Sequence, residues 1–281
     1  DHVEGALPAM ELESYSRPPD ITNDKIKEEE VLRVRKTLKN NKAPGWEGVT
    51  NEHLKHAGPV AVRALVMIFN SMIELEHIPE IFKKGVIVPI PKGGGKDASG
   101  KGNNRPITLL PCIYKVFERI LLNRLDELLA ANSIISDMQG AFQSGCSSAD
   151  VVGILQETIA YHRERGNTVY VAFLDTAKAF DSVWCEGLFY KLFNMGIEGR
   201  LWRILRHCYS GFKCEVLVNK TRSSEFTVGR GVHQGAPLSM RLYQLFINEL
   251  LVDLAGAKMA IGIFDLKTGS PTFADDIAIA A

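Results

Sequence analysis

The sequence predicts an α+β protein, on three observations. Apolar residues recur at helical spacing from Ile113 to Leu129, at positions 113, 116, 117, 120, 121, 125, 128 and 129. Thr168 to Leu174 (TVYVAFL) is rich in β-branched and aromatic residues and reads as a buried strand. A second strand-forming run, Pro271 to Ile279, is interrupted by two adjacent acids, Asp275 and Asp276. Strands are thus scattered between helices, with no internal repeat.

The elements follow in order. Residues 1–24 are polar and acidic, contain Arg17-Pro18-Pro19-Asp20 and lack apolar periodicity, so they predict a linker or tail. A helix is expected over 25–40, then a turn at Lys42-Ala43-Pro44-Gly45, a helix over 59–77 and a short strand from Val86 to Ile90. The Gly/Lys-rich stretch from Lys92 through Asn104 reads as a loop. After the helix that starts at Ile113, one of Ser147, Ser148 or Asp150 caps a helix running to about Arg165. Beyond the strand at 168–174, helices are expected over 183–195 and 198–209, then a hairpin from Cys214 to Val228. A long helix from Leu238 to Leu254 precedes a strand pair around Phe273 to Ile279. Phe189, Tyr190, Phe193 and Trp202 recur at helical spacing and are read as core.

Composition narrows the class. With 281 residues, 46% of them hydrophobic, and 24 Gly and 12 Pro, the chain is neither collagen-like nor broadly disordered. No run of about 18 apolar residues predicts a membrane span. Five cysteines, an odd number with no C-x-x-C pair, indicate neither a disulfide framework nor a zinc site. With no signal peptide either, an intracellular protein of nucleus or cytoplasm is expected, not a secreted one. His53-x-x-His56 reads as a surface pair. Net charge is zero, but residues 81–124 hold nine bases against two acids, and residues 200–230 seven against two. Such basic zones suit a phosphate-lined groove and equally suit solvated helix faces.

Three segments carry chemistry. In Phe173-Leu174-Asp175-Thr176-Ala177-Lys178-Ala179-Phe180-Asp181, a carboxylate stands at the C-terminal end of an apolar strand, where an N-cap role is the alternative. In Pro271 to Ile279, Asp275 and Asp276 are adjacent carboxylates between apolar strands, so they repel each other and need a counter-charge such as a divalent metal. A polar hairpin turn is the alternative there. In Gly231-Val232-His233-Gln234-Gly235-Ala236-Pro237-Leu238-Ser239, the glycines allow close backbone approach to a ligand, and a plain turn explains them as well. Strand-end acids such as Asp175 and Asp275, if neighbours, could hold two Mg²⁺ ions about 3.5–4 Å apart and stabilise both oxygens of a phosphoryl displacement.

The ordered set of these segments resembles the reverse transcriptase of non-LTR (LINE-type) retrotransposons. It comprises Ala43-Pro44-Gly45, then Asn104-Arg105-Pro106-Ile107-Thr108-Leu109-Leu110-Pro111, then Phe173-Leu174-Asp175 with Ala179-Phe180-Asp181-Ser182-Val183. Gln234-Gly235-Ala236-Pro237-Leu238-Ser239 and Phe273-Ala274-Asp275-Asp276 close it, so that the resemblance covers roughly residues 26–281. It implies a right-hand polymerase: a fingers-like region over 25–135 and a palm-containing region over 136–281, the palm a small antiparallel sheet backed by helices. The thumb, and the chain beyond the palm Ala-Asp-Asp, would be missing, which predicts a fragment of a larger polyprotein. The implied activity is RNA-directed DNA polymerase, a two-metal transfer of dNTP to a primer 3′-hydroxyl. Its partners would be an RNA template and a DNA or RNA primer.

By resemblance, Asp175, Asp275 and Asp276 are the catalytic and metal-ligating acids, for two Mg²⁺ ions or Mn²⁺ in their place. Phe180 lies under the incoming sugar and excludes a 2′-hydroxyl. Gln234, with Gly235, lies along the nucleotide and template. Arg105 and Lys92 meet the triphosphate. The first block departs from the family's Pro-Gly-Pro-Asp-Gly, reading Pro44-Gly45-Trp46-Glu47-Gly48, and Phe273 stands where a Tyr is usual. The alternative function is a catalytically silent relic or a nucleic-acid-binding module that keeps the fold.

Overall fold

In a computed structural model the described residues are 24–93, 100, 102–143, 145–257 and 261–281. The expected tail over 1–24 therefore lies, except for Asp24, outside them. The chain opens with α1 (Glu28–Thr37), α2 (Asn51–Lys55) and α3 (Pro59–Glu74), then β1 (Lys84–Pro91) and β2 (Asn104–Leu109), then α4 (Cys112–Ala131) and α5 (Ser148–Arg163). Next come β3 (Val171–Asp175), α6 (Ala179–Ser182), α7 (Cys185–Asn194), α8 (Gly199–Tyr209), β4 (Lys213–Val218), β5 (Thr221–Arg222) and β6 (Phe226–Thr227). The last elements are α9 (Ser239–Gly256), β7 (Gly262–Ile263), β8 (Leu266–Lys267), β9 (Thr272–Phe273) and β10 (Asp276–Ala280). The α+β expectation holds.

The helix at 113–129 is α4, and its periodic residues are its buried stripe: Val116, Phe117, Ile120, Leu121, Leu125 and Leu129 all lie in the core. Phe117 meets Phe69 of α3 with ring centroids 5.2 Å apart. The same core continues through Leu188 and Leu192 of α7, Leu201, Ile204 and Leu205 of α8, and Leu242 and Leu245 of α9. Of the four aromatics read as core, Phe189 and Trp202 are buried, and the Trp202 indole donates to the Phe189 carbonyl at 2.7 Å. Phe193 is half-buried and Tyr190 is exposed, because only one face of α7 meets its neighbours. Ser147 caps α5, and its backbone N–H and hydroxyl both donate to Asp150. Among the described residues no helix is long and apolar enough to cross a membrane.

Two sheets matter for the site. In the larger one β1 pairs antiparallel with β2 and parallel with β4, and β4 also carries β5 and β6. This sheet takes strands from both sides of residue 135. The smaller sheet has the order β3-β10-β9, antiparallel throughout.

Two local expectations need correction. Asn104, read as the end of a loop, begins β2, because its partner Pro91 and the five residue pairs that follow extend the hairpin through Leu109. The strand at 168–174 forms over Val171–Asp175 but is not buried: Phe173 is 75% exposed and Leu174 47%. Among the described residues it is an edge strand bonded only to β10, and apolar composition cannot distinguish a central strand from an edge whose faces are left bare. The short α2, α6, β7 and β8 carry too few residues for a periodic signal.

Buried polar contacts tie α1 to the rest. The Arg124 guanidinium of α4 forks onto Glu30 at 3.0 Å through both Nε and Nη2, and Nη1 donates to the Asp24 carbonyl at 2.9 Å. Burial, the largest single influence, raises the Glu30 carboxyl, but the Arg124 fork, the Lys27 N–H and the nearby Arg33 charge together outweigh it, so the net shift is downward. A lowered folded-state pKa means that the pair's stabilisation is complete above about pH 4.5 and is lost as pH falls. Arg124→Met, which strands a partly buried carboxylate, is expected to destabilise the fold by about 3 kcal/mol in urea denaturation at pH 7. A change under about 0.5 kcal/mol would show that the fork is a surface ornament.

Candidate active site

The site begins with strand register. Asp175, the last residue of β3, is the direct cross-strand partner of Asp276, the first residue of β10. Partners in an antiparallel pair project from the same face, with Cβ atoms about 5 Å apart. Ala274 and Asp275 form the two-residue connection between Phe273 of β9 and Asp276. Asp275 thus sits at the tip of a hairpin whose next residue is already aligned with Asp175. The two acids thus occupy a hairpin turn and also stand beside a third carboxylate. The N-cap alternative for Asp175 fails, since α6 is preceded by Lys178 at φ 54°.

The carboxylates feel one another. Asp275 is half-buried, and its pKa is raised first by burial and then by the negative charges of Asp276 and Asp175. None of the three has an ion-pair partner among the described residues, and as the side chains stand no group of three His, Cys, Asp or Glu closes around a metal position. The donor set nonetheless suits a hard divalent cation: all-oxygen ligands, uncompensated charge and a rigid strand-end frame.

Behind the acids stands a stacked pair of rings. Phe180 packs on Tyr243 of α9 with centroids 5.1 Å apart and planes 16° from parallel. The Tyr243 hydroxyl is pushed above its ordinary pKa by burial, and the charges of Asp275, Asp175 and Asp276 add to that. Thr176 stands nearby without a well-formed hydrogen bond to this hydroxyl. One contact thus links the half-buried ring of Phe180 to the acid cluster.

The Gly231–Ser239 loop joins this centre to the larger sheet. Gln234 donates through Nε2 to Asp181 Oδ1 at 3.1 Å, and its carbonyl accepts from the Thr108 N–H of β2 at 2.7 Å. Both glycines meet the protein's own backbone closely. Gly231, at φ 92°, would drive a Cβ to 2.9 Å from Asp181, and Gly235, at φ 111°, would drive one to 3.0 Å from the Thr108 carbonyl. They let the loop lie flat between Phe180-Asp181 and β2.

Arg105 and Lys92 stand at the loop end of the β1–β2 hairpin. Arg105 is exposed opposite Ile90, about 10 Å along β2 from Thr108 at strand rise. The Lys92 N–H donates to the Asn103 carbonyl at 2.7 Å. Neither cationic side chain has a partner among the described residues.

Three residues escaped sequence reasoning. Tyr243 falls on the buried stripe of a helix and looks like core. Gln139 and Gln244 are buried amides; for Gln244 the signal was a polar residue inside an otherwise apolar segment, and for Gln139 there was none. The altered first block is also explained. The Glu47 carboxylate accepts the Cys112 N–H at 2.8 Å and so supports the start of α4.

A family model described as "Reverse transcriptase (RNA-dependent DNA polymerase)" matches residues 90–281, more than half of the chain and all the acids. The chain belongs to the reverse transcriptase family. Among its relatives, the "Probable RNA-directed DNA polymerase from transposon X-element" of Drosophila melanogaster is 31% identical over 89% of this chain and 26% of its own length. The "RNA-directed DNA polymerase from mobile element jockey" of Drosophila funebris is 30% identical over 91% of this chain and 27% of its own. The Nasonia vitripennis "Retrovirus-related Pol polyprotein from type-1 retrotransposable element R2" is 27% identical over 96% and 24%. The retrotransposon resemblance is therefore sound, and the chain spans about a quarter of the length of these relatives.

In this member of the family the loop that carries Gln234 also carries a pH-sensitive anchor. His233 is buried, its Nε2 has no hydrogen-bond partner, and its ring packs against Tyr209 (5.2 Å, 7° between planes) and Phe212 (4.0 Å). Burial pushes its pKa from 6.5 down to about 4. The folded state holds the neutral ring while the unfolded chain takes up a proton, so stability is full above pH 6.5 and falls with acidification. Between pH 7 and pH 5 this should remove about 2 kcal/mol, and His233→Phe should abolish that part of the pH dependence. Parallel pH profiles of urea midpoints for the two proteins would contradict it.

Proposed function

We propose that this chain carries the nucleotidyl-transfer centre of an RNA-directed DNA polymerase, joining dNTP to a primer 3′-hydroxyl on an RNA template. The observation that carries the reading is the register that sets Asp175 beside Asp276, with Asp275 at the adjoining turn. In this reading residues 25–135 form a fingers-like region and residues 136–281 the palm.

Each residue then has a defined task. Asp175, Asp275 and Asp276 would hold Mg²⁺, or Mn²⁺ in its place; when bound, the metal ions supply charge neutralisation at the attacking and leaving oxygens. Arg105, with Lys92 beside it on the same hairpin end, offers unpaired positive charge to the triphosphate. Phe180, braced by Tyr243, presents a fixed ring edge where a sugar 2′-hydroxyl would clash. Gln234, held at its carbonyl by Thr108 and at its amide by Asp181, fixes the floor on which nucleotide and template base lie. The O3′–P bond forms as the bond from the α-phosphorus to the pyrophosphate oxygen breaks, and the hydroxyl proton passes to solvent. Catalysis by such a site is positioning and charge stabilisation.

A binding module that kept only the fold would not need three unneutralised carboxylates at one strand end. Asp275→Asn is therefore expected to lower primer extension on an RNA template by on the order of 100- to 1000-fold while template affinity stays within about twofold. Undiminished synthesis, or none in the unmodified chain, would remove the polymerase reading. Phe180→Val is expected to weaken discrimination against ribonucleotides by about 10-fold or more, read as the ratio of kcat/KM for dNTP and rNTP.

A further inference from the structure

The hairpin tip that carries Asp275 is built on an unfavourable backbone. Ala274 sits at φ 59°, a left-handed conformation that costs an L-residue roughly 1–2 kcal/mol and persists only where the surroundings impose it. A two-residue hairpin ordinarily resolves this with Gly, Asn or Asp, and here there is none at that place.

One side chain, far away in sequence, holds this residue by both of its backbone polar groups. Gln139 is 1% exposed, and its amide grips the Ala274 peptide on both sides: Oε1 accepts the Ala274 N–H at 3.0 Å, and Nε2 donates to the Ala274 carbonyl at 3.2 Å. Its backbone is fixed beside β9, since Gly140 N–H donates to the Thr272 carbonyl at 2.9 Å and Thr272 N–H to the Met138 carbonyl at 2.8 Å. The grip is itself held from α9. Gln139 Oε1 also accepts the Ala141 N–H at 3.0 Å, and Gln244 Nε2 donates to the Ala141 carbonyl at 2.5 Å. Gln244 is the neighbour of Tyr243, which backs Phe180 and the acids.

We propose that Gln139 is a positioning residue of the active site: by clamping Ala274 it holds the turn in the conformation that keeps Asp275 and Asp276 aligned with Asp175. It touches none of the acids and acts on them only through the backbone. The clamp needs an acceptor and a donor on one planar group. A glutamine supplies both. An ionised glutamate supplies the acceptor but sets a like charge and a second lone-pair oxygen against the Ala274 carbonyl, whereas a protonated glutamate restores the donor. This assignment rests on the polymerase reading, and its test separates the two.

Primer extension and hydrogen exchange would be measured on this chain with Gln139→Met and Gln139→Glu, alongside the unmodified protein and Asp275→Asn. For Gln139→Met, kcat should fall about 10- to 100-fold with dNTP KM within about threefold, in the range seen when the support of a ligating residue is removed. Exchange should accelerate selectively in the peptide spanning residues 270–281. For Gln139→Glu, activity relative to the unmodified protein should be higher at pH 6 than at pH 8. Near-normal kcat in Gln139→Met, or accelerated exchange spread evenly over the chain, would overturn the assignment. Should Gln139→Met fail to fold, a pH-independent activity ratio for Gln139→Glu would overturn it. If the unmodified chain makes no product, the polymerase reading fails, and exchange at 270–281 still decides whether the clamp exists.

Discussion

Everything functional in this molecule depends on one antiparallel register. Pairing β3 with β10 so that Asp175 faces Asp276 gathers negative charge at a strand end, with Asp275 one residue away. A slip by one residue would turn Asp276 to the opposite face of the sheet and end the convergence. The alignment opposes electrostatics, as the upward shift of the half-buried Asp275 shows: burial contributes most, and the neighbouring carboxylates add to it. Folding must therefore hold the acids where they would not gather by themselves. Such unfavourable local arrangements are expected at sites whose purpose is to receive a compensating charge.

The support comes from buried polar contacts between elements distant in sequence. Gln139 and Gln244 connect the hairpin turn to α9, while Gln234 connects α6 to β2 through Asp181 and Thr108. Gln139 and Gln244 do so through side-chain amides on backbone groups, and Gln234 through its amide on the Asp181 carboxylate and its own carbonyl on the Thr108 N–H. Such contacts are directional, so they fix positions in a way that the apolar core beneath them does not. The core supplies cohesion; the amides supply aim.

Much of this was legible beforehand. The eight periodic apolar positions of α4, the Ser147 cap and the order of the blocks from Arg105 to Asp276 all carry local signals, and the structure follows them. The reading of 168–174 as buried went wrong because apolar composition reports the strand and not its neighbours: Phe173 lies 75% exposed on an edge. Gly231 and Gly235 read as sites of close approach, and both lie close against the protein's own backbone, at Asp181 and Thr108. Tyr243 and Gln139 gave no usable signal, because a tyrosine on a helix stripe and a glutamine before Gly-Ala-Phe look ordinary until their neighbours are known.

The amino-acid sequence alone determined which segments become helix or strand and which side chains have the chemistry for phosphoryl transfer. Periodicity, capping and residue type are local properties, written within a few positions of one another. Tertiary structure alone decided that Asp175 and Asp276 are partners, that Phe180 rests on Tyr243, and that a glutamine 135 positions upstream holds the Ala274 turn. Those outcomes depend on strand register and on helix placement against the sheet. Both are set by the packing of the whole chain, and no single stretch of residues contains them.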